Sequence, residues 1–219
     1  MATFTAIANG STTIGYAQYG STTWNTGTSN GASQGAYQNT SPSGSRVGVM
    51  VFSGAGAALN GKIISLITLR ITCSAAGSAA SNKVLSFRKA NYQYLQTGIT
   101  GSAQVGATLG TLTGTFYGNT ATHTLSESSN AALFAAIKAY LAAGNSALVL
   151  YNGETSTASG YSTNYARVTS CTITVTYMDA TVWYRNGSTW KECAVWYCRN
   201  GTWIQCVPWY RSGSIWIKV

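Results

Sequence analysis

Four carboxylate side chains, Glu127, Glu154, Asp179 and Glu192, and a single histidine, His123, are the whole acid–base repertoire of this chain. Glycoside hydrolysis ordinarily needs two facing carboxylates. Serine and cysteine hydrolases need a histidine base, and zinc sites gather His with Cys or carboxylate. These few residues are scattered and fall in no such motif. The sequence therefore predicts a protein that is not an enzyme and that carries neither cofactor nor metal. A glycan-active enzyme using Glu127 and Glu154 is the catalytic alternative. His123, between Thr122 and Thr124, reads as a strand or loop residue with a satisfied hydrogen bond. Glu127 reads as an acid serving the start of the helix that follows, where a carboxylate suits the dipole.

Aromatic chemistry is concentrated instead. Six of the seven tryptophans lie in the last 39 positions, which divide into three units of 13: TVWYRNGSTWKEC (181–193), AVWYCRNGTWIQC (194–206) and VPWYRSGSIWIKV (207–219). Trp-Tyr recurs at the third and fourth positions of each unit and Trp at the tenth, an internal-repeat signal. Asn186-Gly187 suits a two-residue hairpin turn because both positions tolerate positive φ. Pairing outward from it sets Trp183 directly against Trp190, a contact of about 0.2–1 kcal/mol. Ser212-Gly213 predicts the same for Trp209 and Trp216, whereas Arg199-Asn200-Gly201 predicts a looser or bulged turn between Trp196 and Trp203. Such short hairpins need another surface to complete their core. Either the indoles glue a β-meander to that surface, or exposed rings stack on sugars, choline groups or bases. On the second reading the candidate glycan-facing residues are Tyr184, Arg185, Trp190, Tyr197, Trp203, Tyr210, Arg211 and Trp216.

Charge separates the function classes further. Only 8% of residues are charged and the formal net charge is +9, yet no basic cluster exceeds Arg88–Lys89. The excess reflects missing acids rather than a basic stripe, so nucleic acid is not the expected partner, while anionic glycans suit the overall field. Single-stranded nucleic acid on the aromatic, basic C-terminus stays as an alternative. Hydrophobic residues make up 45% of the chain, which argues against disorder. No apolar run approaches the roughly 18 residues of a membrane span. The N-terminus lacks the basic and apolar regions of a signal peptide. The five cysteines are an odd number, so at least one thiol is free or pairs between chains.

The elements that must position these groups are mainly strands. Residues 1–45 bear no charge; Thr3–Ala8 and Thr13–Tyr19 read as strands, and Gly20–Ser45 as an extended loop or arm resting on a neighbouring subunit or on its own domain. Residues 46–180 read as a β-sandwich, with strands at Arg46–Ser53, Lys62–Cys73, Lys83–Arg88, Val105–Tyr117, Ala147–Tyr151 and Arg167–Tyr177. Alternation puts Ile63, Ile67, Leu69, Ile71 and Cys73 on one face of the second, and Cys171, Ile173, Val175 and Tyr177 on one face of the last. Cys73 and Cys171 thus face inward, as buried thiols or as a disulfide across the core. Cys193 and Cys206 end successive repeat units, so a bridge between neighbouring hairpins would leave Cys198 over. Asn130–Ala143 breaks the pattern as one helix, with Leu133, Phe134, Ile137 and Leu141 along a stripe, a cap at Ser128, Ser129 or Asn130, and closure at Gly144. The fold class expected is mainly β: a jelly-roll-like antiparallel β-sandwich with one helix, followed by a small C-terminal hairpin module.

A glycine- and threonine-rich domain of this kind, carrying GKIISLITLRIT and ALVLYNGETS…TSCTITVTY and followed by WY-x-x-G-x-x-W hairpins, resembles virion structural proteins of tailed bacteriophages and prophages. The likeness is to tail-fibre, tail-tip and head-fibre components. The 13-residue period departs from the longer GW…WYY choline-binding repeat. The resemblance implies a non-enzymatic particle component, made in the host cytoplasm and released by lysis. It also implies partners among copies of itself, as a trimer, among other virion proteins and in host-surface polysaccharide. A capsid decoration or connector without a host ligand is the alternative within the same particle.

Overall fold

In the computed structural model the described residues are 1–37, 44–76, 82–155 and 160–179, together with the backbone of three hairpins between 182 and 218. The chain is mainly β, with 51% of it in strands and 12% in helices. The elements are β1 (Ala2–Ala8), β2 (Ile14–Gln18), β3 (Trp24–Thr26), β4 (Ala32–Ala36), β5 (Ser45–Val51), α1 (Ala55–Leu59), β6 (Ile63–Cys73), β7 (Lys83–Ala90), α2 (Gly101–Gln104), β8 (Val105–Gly114), β9 (Thr120–Leu125), α3 (Ala131–Ala142), β10 (Ala147–Leu150) and β11 (Ala166–Met178).

Two antiparallel layers face each other. One runs β9-β6-β11, and the far side of β11 is shared by β1 and β4. The other runs β8-β7-β10-β5, continued by β2 and β3. Strand β4 belongs to both: Ala32–Gln34 pair with β11, and Gly35–Ala36 pair with β5. Residues 1–37 are thus built into the sandwich. The segment expected as an extended arm supplies β3 and β4, and the uncharged N-terminus rests on its own domain.

The core lies between the layers. Ile67, Leu69, Ile71, Cys171, Ile173 and Val175 from one side meet Met50, Phe52, Leu85, Phe87, Leu148 and Leu150 from the other. This is the period-2 pattern of strands with one face packed and one wet. Ile63 is half-buried, and Ile64 takes the core position instead. The pairing slips where Tyr177 meets Ile64 and Thr176 meets Leu66, leaving Ser65 as the extra residue. A bulge of this kind inverts the facing of everything beyond it.

Strand β5 is buried on both faces, because Val47, Val49 and Val51 form a second cluster outside the sandwich with Val149 and Ala147. Partly buried Trp24, Leu95, Val105 and Tyr151 cover it. Helix α3 buries Leu133, Phe134, Ile137, Tyr140 and Leu141 against strands of both layers. Asn130 sits at its N-cap in the left-handed region, φ 53°, and its amide donates to Thr124 O rather than capping the helix. Gly144, φ +85°, closes the other end.

The repeat units form three separate two-stranded hairpins: β12–β13 (Val182–Asn186, Thr189–Cys193), β14–β15 (Val195–Arg199, Thr202–Cys206) and β16–β17 (Trp209–Ser212, Ile215–Lys218). Their register corrects the expected one. Trp190 stands opposite Arg185, and Trp183 opposite Glu192. Trp216 stands opposite Arg211, and Trp209 opposite Lys218. No two tryptophans are directly opposed within a hairpin. The middle hairpin is regular rather than bulged, with Cys198 opposite Trp203 and Arg199 opposite Thr202. All three units therefore share one register, their pairing ending at Asn186–Thr189, Arg199–Thr202 and Ser212–Ile215. The shifted glycine of the middle unit changes the turn sequence and leaves the register alone.

Candidate functional site

The strand that changes sheets organises the most polar part of the molecule. β4 can pass so close to β5 because Gly48 has no side chain: a Cβ there would lie 2.6 Å from Ser33 N. Gly35 bends the strand at φ +81°, a conformation that glycine adopts without steric cost. Once β4 has crossed, Gln34 is wholly buried and its amide takes the place of a missing strand. Nε2 donates to Val84 O at 2.7 Å and to Asn164 O at 2.9 Å, and Oε1 accepts from Ser86 N at 2.8 Å. Asn164 Oδ1 accepts the neighbouring Val84 N–H at 2.9 Å.

Glu154, one of the two acids of the catalytic alternative, is the clamp of this region. Oε1 accepts from Asn164 Nδ2 at 2.7 Å, and Oε2 accepts from Ser162 Oγ at 2.9 Å and Asn164 N at 3.0 Å. Its carbonyl accepts from Ser45 Oγ at 2.6 Å. Lys83 is buried nearby and donates to Thr163 O at 3.1 Å. Burial pulls the Lys83 ammonium below its ordinary value, while Glu154 and Cys73 push it back up. The other described acids are engaged as well. Glu127 pairs with Lys138 at 3.0 Å, eleven residues on, and Asp179 pairs with Lys62. Glu127 and Glu154 thus hold separate partners, Glu127 Oε1 with Lys138 and both Glu154 oxygens with Ser162 and Asn164.

His123 differs from its expected state. On β9 its ring packs on Phe116, with centroids 5.3 Å apart, and its Nε2 is buried without a hydrogen-bond partner. Burial holds the imidazole below its ordinary value, so the neutral ring is the favoured form. Cys73 and Cys171 are free and buried rather than bridged. Burial raises both thiols, Cys73 to about 12.

Beyond the polar seam a continuous tyrosine–arginine face reaches the surface. The Tyr37 and Tyr161 rings stack with centroids 4.4 Å apart and planes 26° from parallel, and Tyr165 tilts against Tyr161 at 4.7 Å. Tyr161 is 38% exposed, whereas Tyr165 is buried. Arg167 Nη2 donates to Tyr165 Oη at 3.3 Å and lies over the Tyr16 ring, 5.8 Å from its centroid. Arg46 covers the same ring at 4.9 Å. On the outer face of the β5 layer, Tyr19, 41% exposed, stacks on Tyr151 at 5.2 Å, and Arg88 lies over Tyr151 at 5.4 Å. Rigid tyrosines beside arginines offer apolar area and hydrogen bonds at low conformational cost.

A cleft of about 650 Å³ between α3 and strands β7 and β8 is the main competitor. Its polar groups serve the fold. Tyr140 Oη accepts from Ala90 N at 3.0 Å, and Gln93 Oε1 accepts from Ser146 N at 2.6 Å and Ala147 N at 3.2 Å. The tyrosine–arginine face keeps polar capacity unspent, and we take it as the candidate site.

None of its members stands among the eight residues the sequence singled out as glycan-facing. Those of the repeat are placed by backbone register only: Tyr184 opposite Lys191, Tyr197 opposite Ile204 and Tyr210 opposite Ile217, with Arg185, Cys198 and Arg211 opposite Trp190, Trp203 and Trp216. The side chains of the eight candidates lie outside the described residues, as do those of Cys193 and Cys206, while Cys198 is free and exposed. The signal available for the new site was the spacing of Tyr161, Tyr165 and Arg167 at the entry of β11. No protein-family model matches this chain, and no characterised protein matches it in sequence.

Proposed function

We propose that this protein is a non-enzymatic structural component of a bacteriophage virion, a surface-exposed fibre or tail part that contacts host-surface glycan. The observation that carries the glycan contact is the unbroken series Tyr37, Tyr161, Tyr165, Arg167, Tyr16 and Arg46, in which a half-exposed tyrosine stack adjoins two arginines. Sugar rings offer C–H faces for stacking and hydroxyls for arginine and tyrosine, so this face suits them. The engagement of Glu127, Glu154 and Asp179 in ion pairs and loop bonds supports the non-enzymatic reading. Assembly with copies of itself, favoured as a trimer, and with other virion proteins belongs to the same proposal, resting on the phage-like repeat sequence.

Two measurements test it. The full chain is applied to an array of bacterial envelope polysaccharides, alongside Tyr161→Ala. Retention of the parent, weakened about tenfold in the variant, is the expected result; a parent that retains nothing, or a variant that binds equally well, removes the glycan reading. Antibody labelling of particles released from cells that encode the protein is expected to mark fibres or tails. Capsid labelling would favour decoration, and unlabelled particles would remove the virion reading.

A further inference from the structure

The arginines of this face have no counter-charge among the described residues. The described ion pairs are Lys62–Asp179 and Lys138–Glu127, and the Glu154 carboxylate is bonded to Ser162 and Asn164. Arg46 and Arg167 nevertheless share one tyrosine ring, and the Nε of each is buried without a hydrogen-bond partner. Guanidinium is charged at every working pH, and leaving such donors desolvated and unpaired is unfavourable.

A third unpaired atom lies in the same row. Ser33 is wholly buried, and its Oγ lacks a partner as well. Strand register puts Ser33 directly opposite Arg167, and Gly35, two residues on, directly opposite Arg46. Side chains at directly opposed antiparallel positions share a face of the sheet. Ser33 therefore lies on the same face as Arg167, and Arg46 has only the bare backbone of Gly35 opposite it. Tyr16 stands opposite Gly48, which likewise adds no side chain. Three of the six buried side-chain atoms without a partner among the described residues belong to Ser33, Arg46 and Arg167.

We infer that Arg46, Arg167 and Ser33 form an anion subsite that takes the carboxylate or phosphate group of an acidic saccharide. Two guanidinium groups match the oxygens of such a group with short, charge-assisted hydrogen bonds, and the serine hydroxyl supplies a third donor. The saccharide part rests on the glycan-contact reading; the anion part stands without it.

The test uses the full chain at constant ionic strength, titrated by calorimetry with glucose, glucuronic acid, glucose 6-phosphate and inorganic phosphate. The acidic sugars are expected to bind about tenfold or more tighter than glucose, and Arg46→Gln or Arg167→Gln to abolish that preference. Tyr161→Ala is expected to weaken neutral and acidic sugars alike. Arg46→Lys and Arg167→Lys keep the charge and are expected to keep part of the preference. Circular dichroism confirms that each variant is folded. Glucose bound as tightly as glucuronic acid, with the Arg→Gln variants unchanged, overturns the subsite and leaves the glycan reading intact. Phosphate bound through the arginines with no sugar bound upholds the subsite and overturns the glycan reading. Binding of none of the four overturns both.

Discussion

Gln34→Ala is the most discriminating perturbation of the crossover. The Gln34 amide is fully buried and makes three hydrogen bonds, at 2.7, 2.9 and 2.8 Å, to Val84 O, Asn164 O and Ser86 N. Truncation leaves all three backbone groups without partners in the interior. Each such group costs about 1–3 kcal/mol, and the lower end applies where water enters the space vacated, so the total is about 3–5 kcal/mol. That is a large share of the roughly 5–15 kcal/mol by which a domain is stable. Urea denaturation followed by far-UV circular dichroism measures it, with the midpoint falling and the slope unchanged. Amide exchange at Ser86 accelerates in parallel. Gln34→Glu sharpens the test: Oε1 still faces Ser86 N–H, but a carboxylate oxygen then confronts the two carbonyls. Burial and those carbonyls raise its folded-state pKa, so the deficit grows as pH rises and shrinks in acid, where the protonated group donates again. A loss below about 1 kcal/mol in Gln34→Ala, with Ser86 exchange unaltered, would refute the claim that this amide replaces strand pairing.

Four further outcomes follow. Gly35→Ala introduces a Cβ 2.6 Å from Ser162 Oγ and 2.7 Å from Tyr165 Cα at φ +81°, so a loss of about 2–4 kcal/mol is expected. Near-UV circular dichroism should report the tyrosine stack loosening with it. Because burial depresses the His123 imidazole, the unfolded chain takes up its proton first. Stability is therefore full above the ordinary value of about 6.5 and falls as pH drops through it, and this excess acid sensitivity should vanish in His123→Gln. Thiol labelling of the native protein at pH 8 should modify the exposed Cys198 and spare Cys73 and Cys171 until unfolding; fast labelling of either buried thiol would contradict the packing. In the hairpins, backbone proton contacts should connect Arg185 with Trp190 and Arg211 with Trp216; direct opposition of Trp183 and Trp190 would restore the Asn-Gly-centred register.

What was legible in the sequence is what depends on near neighbours. Alternation in Lys62–Cys73 and Arg167–Tyr177 located β6 and β11 and most of their core faces, because the pleat repeats every two residues. The stripe from Leu133 to Leu141 located α3, since burial follows the helical period. The repeat was visible in its period of 13, yet its register was not. NG and GS stand side by side in the first unit, and each is a valid turn centre, so only the pairing of the strands chose between them.

The rest was decided by partners far apart along the chain. Gln34 bonds groups 50, 52 and 130 positions away, and a polar residue in a Ser/Gly-rich stretch carries no mark that it is buried. Arg46 and Arg167 look like ordinary solvated charges until β4 passes between β5 and β11 and sets both against Tyr16. The scarcity of acids was plain from the sequence, and it told that counter-charge would be short. Only the tertiary structure decided where the shortage falls, because a charge becomes unpaired through the company that the fold gives it.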